Sequence, residues 1–424
     1  MRGEGLLFIA SLVCAWTIPA SHARQWGSPL RQETTEKQLR PLERRIDESI
    51  CESLLRPHIQ KVALMFLVRG DMYHEDVWTA WIGDLADLVP PSLFCDEILA
   101  QCYRDMPQRQ AIPKSVYDQQ VYFSIVVHTK QNYPGYNEGS IDNRIVQERV
   151  ETAWGNHSLV TATRILMAAA LEDPYNQQFQ LVCEATIPVR APLVTHDQLL
   201  AQNMSRIGYP GKMWGEVEGS SDRWPLAMHE KWPELRHHTK HHSQWVTLIR
   251  EHIHIILNDT FLNDLFSRHC YVPAQRLKFW CINDEQYIGT LLSWKLGDHV
   301  IYEYIDDLAM APVARRGGVP AEMLNADLLM QIRGSKADTS NLEHIHSHWG
   351  ECHAVDKPSI YHVDTSDAER VALATDECAR DPTLRQPLPY GEIPRFQYCA
   401  FFARKFQAAT APGVKTLLQG LYII

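Results

Sequence analysis

Three continuous apolar runs constrain this chain more than any other feature: "KVALMFLVRG" at Lys61–Gly70, "VYFSIVVHT" at Val121–Thr129 and "FQLVCEATIPV" at Phe179–Val189. None is long enough to cross a bilayer. Each has the pattern of a central strand covered on both faces. Between the second and third lies "SLVTATRILMAAAL", Ser158–Leu171. Its Leu159, Ala162, Leu166 and Ala169 recur at helical spacing, which predicts an amphipathic helix that Ser158 can cap and "DPYNQ" ends. Buried strands alternating with helices predict an α/β fold, with a mainly parallel central sheet and helices on both faces. Ligands of such sheets bind beyond the carboxyl ends of the strands. That places Arg69–Gly70, His128–Thr129 and Glu184–Thr186 at the candidate site.

The chain has 424 residues, 45% of them apolar and 22% charged, as in a globular protein. A formal net charge of −10 argues against a general nucleic-acid binder. The N-terminus carries one Arg, an apolar run from Leu6 to Ala20 and a small-residue site at Ala23. Residues 1–23 therefore read as a secretory signal peptide or a signal-anchor, and both deliver the remainder to a lumen. Residues 24–57 are polar and charged and read as a stem, leaving 58–424 as the main folded domain. Sequons at Asn156, Asn203 and Asn258 suit that compartment. Nine cysteines remain once Cys14 is set aside, so at least one stays free or pairs between chains. Cys270 and Cys281 flank one short connection and are expected to pair. The Gly-, Trp- and Pro-rich stretch from Gly208 to Trp232 reads as a long surface loop.

These strands, a helix opening in "CINDEQYIGTLL" and the tail resemble the core-2/I-branching β-1,6-N-acetylglucosaminyltransferase family, glycosyltransferase family 14, in its plant-type branch. The matching pieces are "KVALMFLVRG", "YFSIVVHTK", "WGNHSLVTATRILMAAALEDPYNQQFQLVCEATIPV", "HHSQWVTL", "CINDEQYIGTLL", "HWGECHAVDKPSIYHV" and "CAFFARKFQ", in family order. The resemblance implies a GT-A nucleotide-sugar fold and a type II protein of the Golgi membrane with a lumenal catalytic domain, or a secreted form if the leader is cleaved. It also implies inverting transfer, N-acetylglucosamine most often, from a UDP-sugar to a glycan hydroxyl, with no metal or other cofactor required. Xylose and glucuronic acid are used in some branches.

The chemistry needs a base for the acceptor hydroxyl and positive charge for the departing diphosphate. By the resemblance, Glu285 is the catalytic base and Lys405 contacts the diphosphate in place of a metal. Asp284 then reads as the helix cap. Arg404 beside Lys405 adds a second cation, set in the aromatic stretch "FFARKF". Many GT-A enzymes place a metal-holding Asp-x-Asp after the second strand, where this chain has His128 and Thr129. Arg69, His128 and Trp154 complete the expected donor side. Glu184, Thr186, Gln244 and Trp245 are expected at the acceptor, where a Trp face suits a sugar's apolar face. Asn156 is expected to carry no glycan, because one there would crowd the nucleotide. The histidines of "RHHTKHHSQW", His237, His238, His241 and His242, lack a matched carboxylate spacing such as HExxH and read as a solvated or acceptor-facing loop. Residues between Leu292 and Ser347 fit the family pattern poorly and look like an insertion. The family's second phosphate-binding arginine has three candidates, Arg380, Arg385 and Arg395. Two rivals stay open: a catalytically inactive glycan-binding member of the same fold, and a secreted metal-dependent hydrolase.

Overall fold

The computed structural model describes residues 47–106, 121–135, 141, 144–208, 226–270, 281–297, 301–302, 308–310, 318–334, 358, 362–364, 375–389 and 399–424. The leader, most of the stem and Arg395 lie outside them. Among the described residues no helix is long and apolar enough to cross a membrane.

The strands are β1 (Lys61–Leu67), β2 (Leu88–Val89), β3 (Phe123–His128), β4 (Asn176–Val182), β5 (Thr186–Pro188), β6 (Ser205–Arg206), β7 (Thr247–Ile249), β8 (Ile301–Tyr302), β9 (Leu308–Met310), β10 (Val363–Asp364) and β11 (Phe402–Arg404). The central sheet has the order β3-β1-β4-β7-β6-β8. Five of these strands share one direction and β7 runs against them. All seven residues of β1 are buried, as its unbroken apolar run requires. The α/β fold and mainly parallel sheet expected from the sequence are therefore present.

The helix between β3 and β4 spans His157–Leu171. Its cap is Asn156, whose Oδ1 accepts from the amide of Ser158, and not Ser158. Ser158 instead accepts from Ala153 through Oγ. The buried stripe includes Val160, Ala162, Thr163, Leu166, Met167 and Ala170, so the core-facing side is rotated slightly from the one the spacing suggested.

"FQLVCEATIPV" is two strands and not one. Residues 183–185 break it: the amide of Thr186 donates to the carbonyl of Cys183 at 3.0 Å, and the amide of Cys183 donates to Thr186 Oγ1 at 3.1 Å. Beyond this turn β5 joins a second sheet of order β5-β11-β9. The stretch resembling an insertion thus contributes β8 to the central sheet and β9 to the second, packed beside the tail strand.

The compact unit runs from Ile46 to Ile424. It includes the helix Glu48–Leu55, which lies in the segment read as stem and is tied down by Cys51–Cys102. Disulfides also join Cys95 to Cys378 and, as the spacing suggested, Cys270 to Cys281. Cys399 is disulfide-bonded as well, and Cys183 is a buried free thiol.

Candidate active site

The three adjacent strands β3, β1 and β4 end side by side, with Leu67 opposite His128 and Phe66 opposite Val182. Just past these ends Arg69 Nε donates to Glu184 Oε1 at 2.8 Å. The pair is asymmetric: the Arg69 side chain is 71% exposed and that of Glu184 only 6%. Buried Glu184 thus holds the exposed guanidinium over the sheet edge.

His128 and Thr186 serve the scaffold. His128 is buried and its Nε2 accepts from the amide of Val150 at 3.1 Å. Burial lowers its basicity to a pKa of about 4. Thr186 is fully buried, with its hydroxyl used by Cys183. His128 and Thr186 are thus each engaged in a structural hydrogen bond at the edge where the site residues gather.

The second sheet carries the tail to this edge. Arg404 lies in register with Thr186 on one side and Met310 on the other. The amide of Phe406 donates to the carbonyl of Ala185 at 2.9 Å, and His74 Nε2 donates to the carbonyl of Phe406 at 2.9 Å. The guanidinium of Arg404 sits 4.7 Å from the ring centroid of Trp245, a cation–π contact. Lys405 is half-buried, and burial, aided by the neighbouring Arg404 charge, pulls its ammonium below the ordinary lysine value. Two adjacent cations, one of them half-desolvated, make this edge favourable to an anion.

Glu285 arrives by a different route. "NDE" is a 3-10 turn, Asn283–Glu285, and the α-helix begins only at Tyr287. Asn283 is the peg: its amide and Nδ2 both donate to the carbonyl of Gly155, and Nδ2 also donates to the carbonyl of Cys270 at 2.7 Å. Gly155 adopts φ 68°, a conformation that disfavours a side chain. The Asn283 turn is therefore docked on the turn that carries Trp154, whose ring is 64% exposed. The Cys270–Cys281 disulfide lies just upstream of the peg. Serine at both cysteines is expected to cost about 2–3 kcal/mol in urea unfolding and to lower activity further by loosening this turn.

The histidine run packs on the same turn. His241 Nε2 lies 3.0 Å from Glu285 Oε2, and the amide of His242 donates to the carbonyl of Glu285 at 2.8 Å. His238 reaches Ser293, and buried His242 donates from Nδ1 to the carbonyl of Ser243. His237 is exposed. The run is therefore a packed wall more than a solvated loop. Among the described residues no group of three His, Cys, Asp or Glu side chains forms a metal-binding set. Half-buried Gln244 follows Ser243, whose amide donates to the carbonyl of Gly208 at 2.7 Å. The Gly208–Trp232 stretch thus starts against this wall and ends in the helix Leu226–Lys231. Residues 209–225 lie outside the described part.

Asp284 does not cap the helix, which has no side-chain cap. It is 7% exposed, and its Oδ1 is buried without a hydrogen-bond partner. Burial, and then the Glu285 charge, push its pKa up to about 7. A carboxyl raised in this way favours folding below its ordinary pKa, and that contribution is lost as pH rises toward 7. Asp284→Asn is expected to leave stability nearly unchanged at pH 4.5 and to raise it at pH 8 by a few kcal/mol at most. Urea unfolding at both values checks this, and an equal effect at both contradicts it. His128, His242 and His252 work oppositely: each is lowered by burial to about 4 from 6.5. The unfolded chain takes up those protons first, so their contribution falls away between pH 6.5 and 4.

Of the residues the sequence singled out, Arg69 and Glu184 pair, Arg404 and Trp245 stack, and Trp154 shares a docked turn with Glu285. His241 and Asn283 were missed as site residues. The His run was noticed, but nothing in its spacing points to Glu285. Arg380 and Arg385 bond within their own segment, to the carbonyls of Asp376 and Cys378, the segment clasped by Cys95–Cys378.

The mostly parallel central sheet flanked by helices is a GT-A-like α/β fold, with carboxylates and cations gathered beyond the ends of its strands. Residues 100–347, more than half of the chain, match the family model for the Core-2/I-Branching enzyme. The chain belongs to the core-2/I-branching enzyme family, and so among the glycosyltransferases. Glu184, Trp245 and Glu285 fall inside the matched region, whereas Arg69, Arg404 and Lys405 fall outside it. A curated relative is Glycosyltransferase BC10 of Oryza sativa subsp. japonica, 29% identical over 199 residues. The match spans 42% of this chain and 47% of that protein, about half its length.

Proposed function

We propose that this chain transfers a sugar, GlcNAc by the family resemblance, from a UDP-sugar to a glycan hydroxyl, with inversion and without a required metal. The acceptor oxygen attacks the anomeric carbon while Glu285 takes its proton. The bond to the diphosphate breaks on the opposite face, and the electron pair leaves on a phosphate oxygen beside Lys405 and Arg404. Arg69, tethered by Glu184, and exposed Trp154 extend the donor side. Gln244 and Trp245 face the acceptor side.

The observation that carries this reading is one short segment. It touches Glu285 through His241 and Arg404 through Trp245, which supports a base and a cation sharing one wall. Such an arrangement suits a reaction that breaks one bond at a carbon as it forms another. The disulfides favour an oxidising compartment, consistent with a Golgi-lumenal or secreted enzyme held by, or freed from, its N-terminal leader.

The test is hydrolysis of a UDP-sugar panel in EDTA, with UDP binding measured by calorimetry on the chain and on Lys405→Ala. Turnover of one donor in EDTA is expected, and Lys405→Ala should weaken UDP binding about tenfold or more, the loss of a charge-assisted phosphate contact. UDP binding that depends on Lys405 without turnover of any donor would instead favour an inactive glycan-binding protein. Activity lost in EDTA alone would favour a metal-dependent enzyme.

A further inference from the structure

The histidine run has a use that its spacing does not announce. His241 Nε2 stands 3.0 Å from Glu285 Oε2, the side chains being 16% and 29% exposed. The wall that carries it is held to the Glu285 turn by the main chain too, through the amide of His242 to the carbonyl of Glu285. The amide of Lys240 also donates to Thr290 Oγ1 at 3.1 Å. The contact is therefore built from both sides and is no chance meeting of two mobile side chains. Among the described residues, Asp284 lies buried beside Glu285, Lys240 is buried on the same wall, and the ring of His242 is turned to Ser243.

We infer that His241 is the positioning residue for Glu285: Nε2–H donates to Oε2, fixes the plane of the carboxylate and leaves the base function to Oε1. The inference rests on Glu285 being the base. A glutamate on a short 3-10 turn has three rotatable side-chain bonds, and a base that samples several rotamers meets the acceptor proton only part of the time. Holding one oxygen removes that freedom. The proton from the acceptor lands on Oε1, giving a neutral acid that keeps its hydrogen bond from His241 through Oε2. No further reactant is needed.

The distinguishing experiment uses the side chains that mimic each imidazole nitrogen. Glutamine places an amide N–H close to Nε2, and asparagine places one close to Nδ1. In the full chain, His241→Ala and His241→Asn are expected to lower kcat about tenfold with donor KM unchanged, and His241→Gln to recover most of it. A merely structural role would not separate Gln from Asn. Full kcat in His241→Ala overturns the inference while a dead Glu285→Gln leaves the base reading standing. An active Glu285→Gln overturns both. Independently of turnover, histidine-labelled nitrogen NMR should show a hydrogen-bonded Nε2–H on His241 that is lost in Glu285→Ala. A signal unmoved by that change overturns the inference even if no donor is found.

Discussion

Glu285→Gln is expected to lower turnover by about 10²–10⁴-fold while leaving UDP binding within about twofold. The amide keeps the size of the side chain and can still pair with His241, so the turn should fold as before. It cannot take a proton. Arg404 ends the tail strand, whose partners are β5 and β9, and Lys405 follows it, so UDP binding should not sense the change. Kinetics with the best donor of the panel, beside calorimetry with UDP, separate the two quantities. Loss of binding together with turnover would mean that the substitution unfolds the wall. Unchanged turnover would remove Glu285 from the chemistry.

Trp78→Ala is expected to have the largest effect on stability, about 3–5 kcal/mol. Trp78 is fully buried, on the helix Glu75–Gly83, where the two sheets meet. Its ring packs edge-on against Phe66 of β1 at 5.1 Å and against Trp81 at 5.6 Å, and tilted over Phe402 of β11 at 5.9 Å. Its Nε1 donates to the carbonyl of Thr186 at 3.2 Å. Alanine would leave a void bounded by both sheets and remove the donor for that carbonyl. Because Thr186 is in register with Arg404, UDP binding should weaken as well. Trp78→Phe should recover part of the stability, since it refills much of the volume but cannot donate. Urea unfolding of the three proteins decides this, and a cost below about 1 kcal/mol for alanine would mean that the site collapses around the gap.

Fold and site were unequally legible. The buried strands could be read because burial on both faces leaves a run with no polar gaps, as β1 shows. The break at Cys183–Ala185 could not, because its cause is a hydrogen bond from a threonine hydroxyl inside a run that still looks apolar. Glu285 was found through its family pattern, since Asp and Glu beside each other near a helix start have an ordinary explanation. That explanation fails for Asp284 as a cap. Asp284 is buried and caps nothing, and the helix begins beyond both.

What the sequence by itself determined was the local order: which segments must be buried, where helices could run, that Cys270 would reach Cys281, and which family pattern the chain follows. Those follow from periodicity, short loops and residue chemistry, which act over a few positions. Only the tertiary structure decided that Arg69 is tethered by Glu184, that Arg404 rests on Trp245 and that a histidine from a run without metal spacing holds Glu285. These partners lie tens to hundreds of residues apart along the chain. The physical reason is that a contact of that kind has no periodic trace: it exists only once the central sheet brings its strand ends together and the second sheet lays the tail across them.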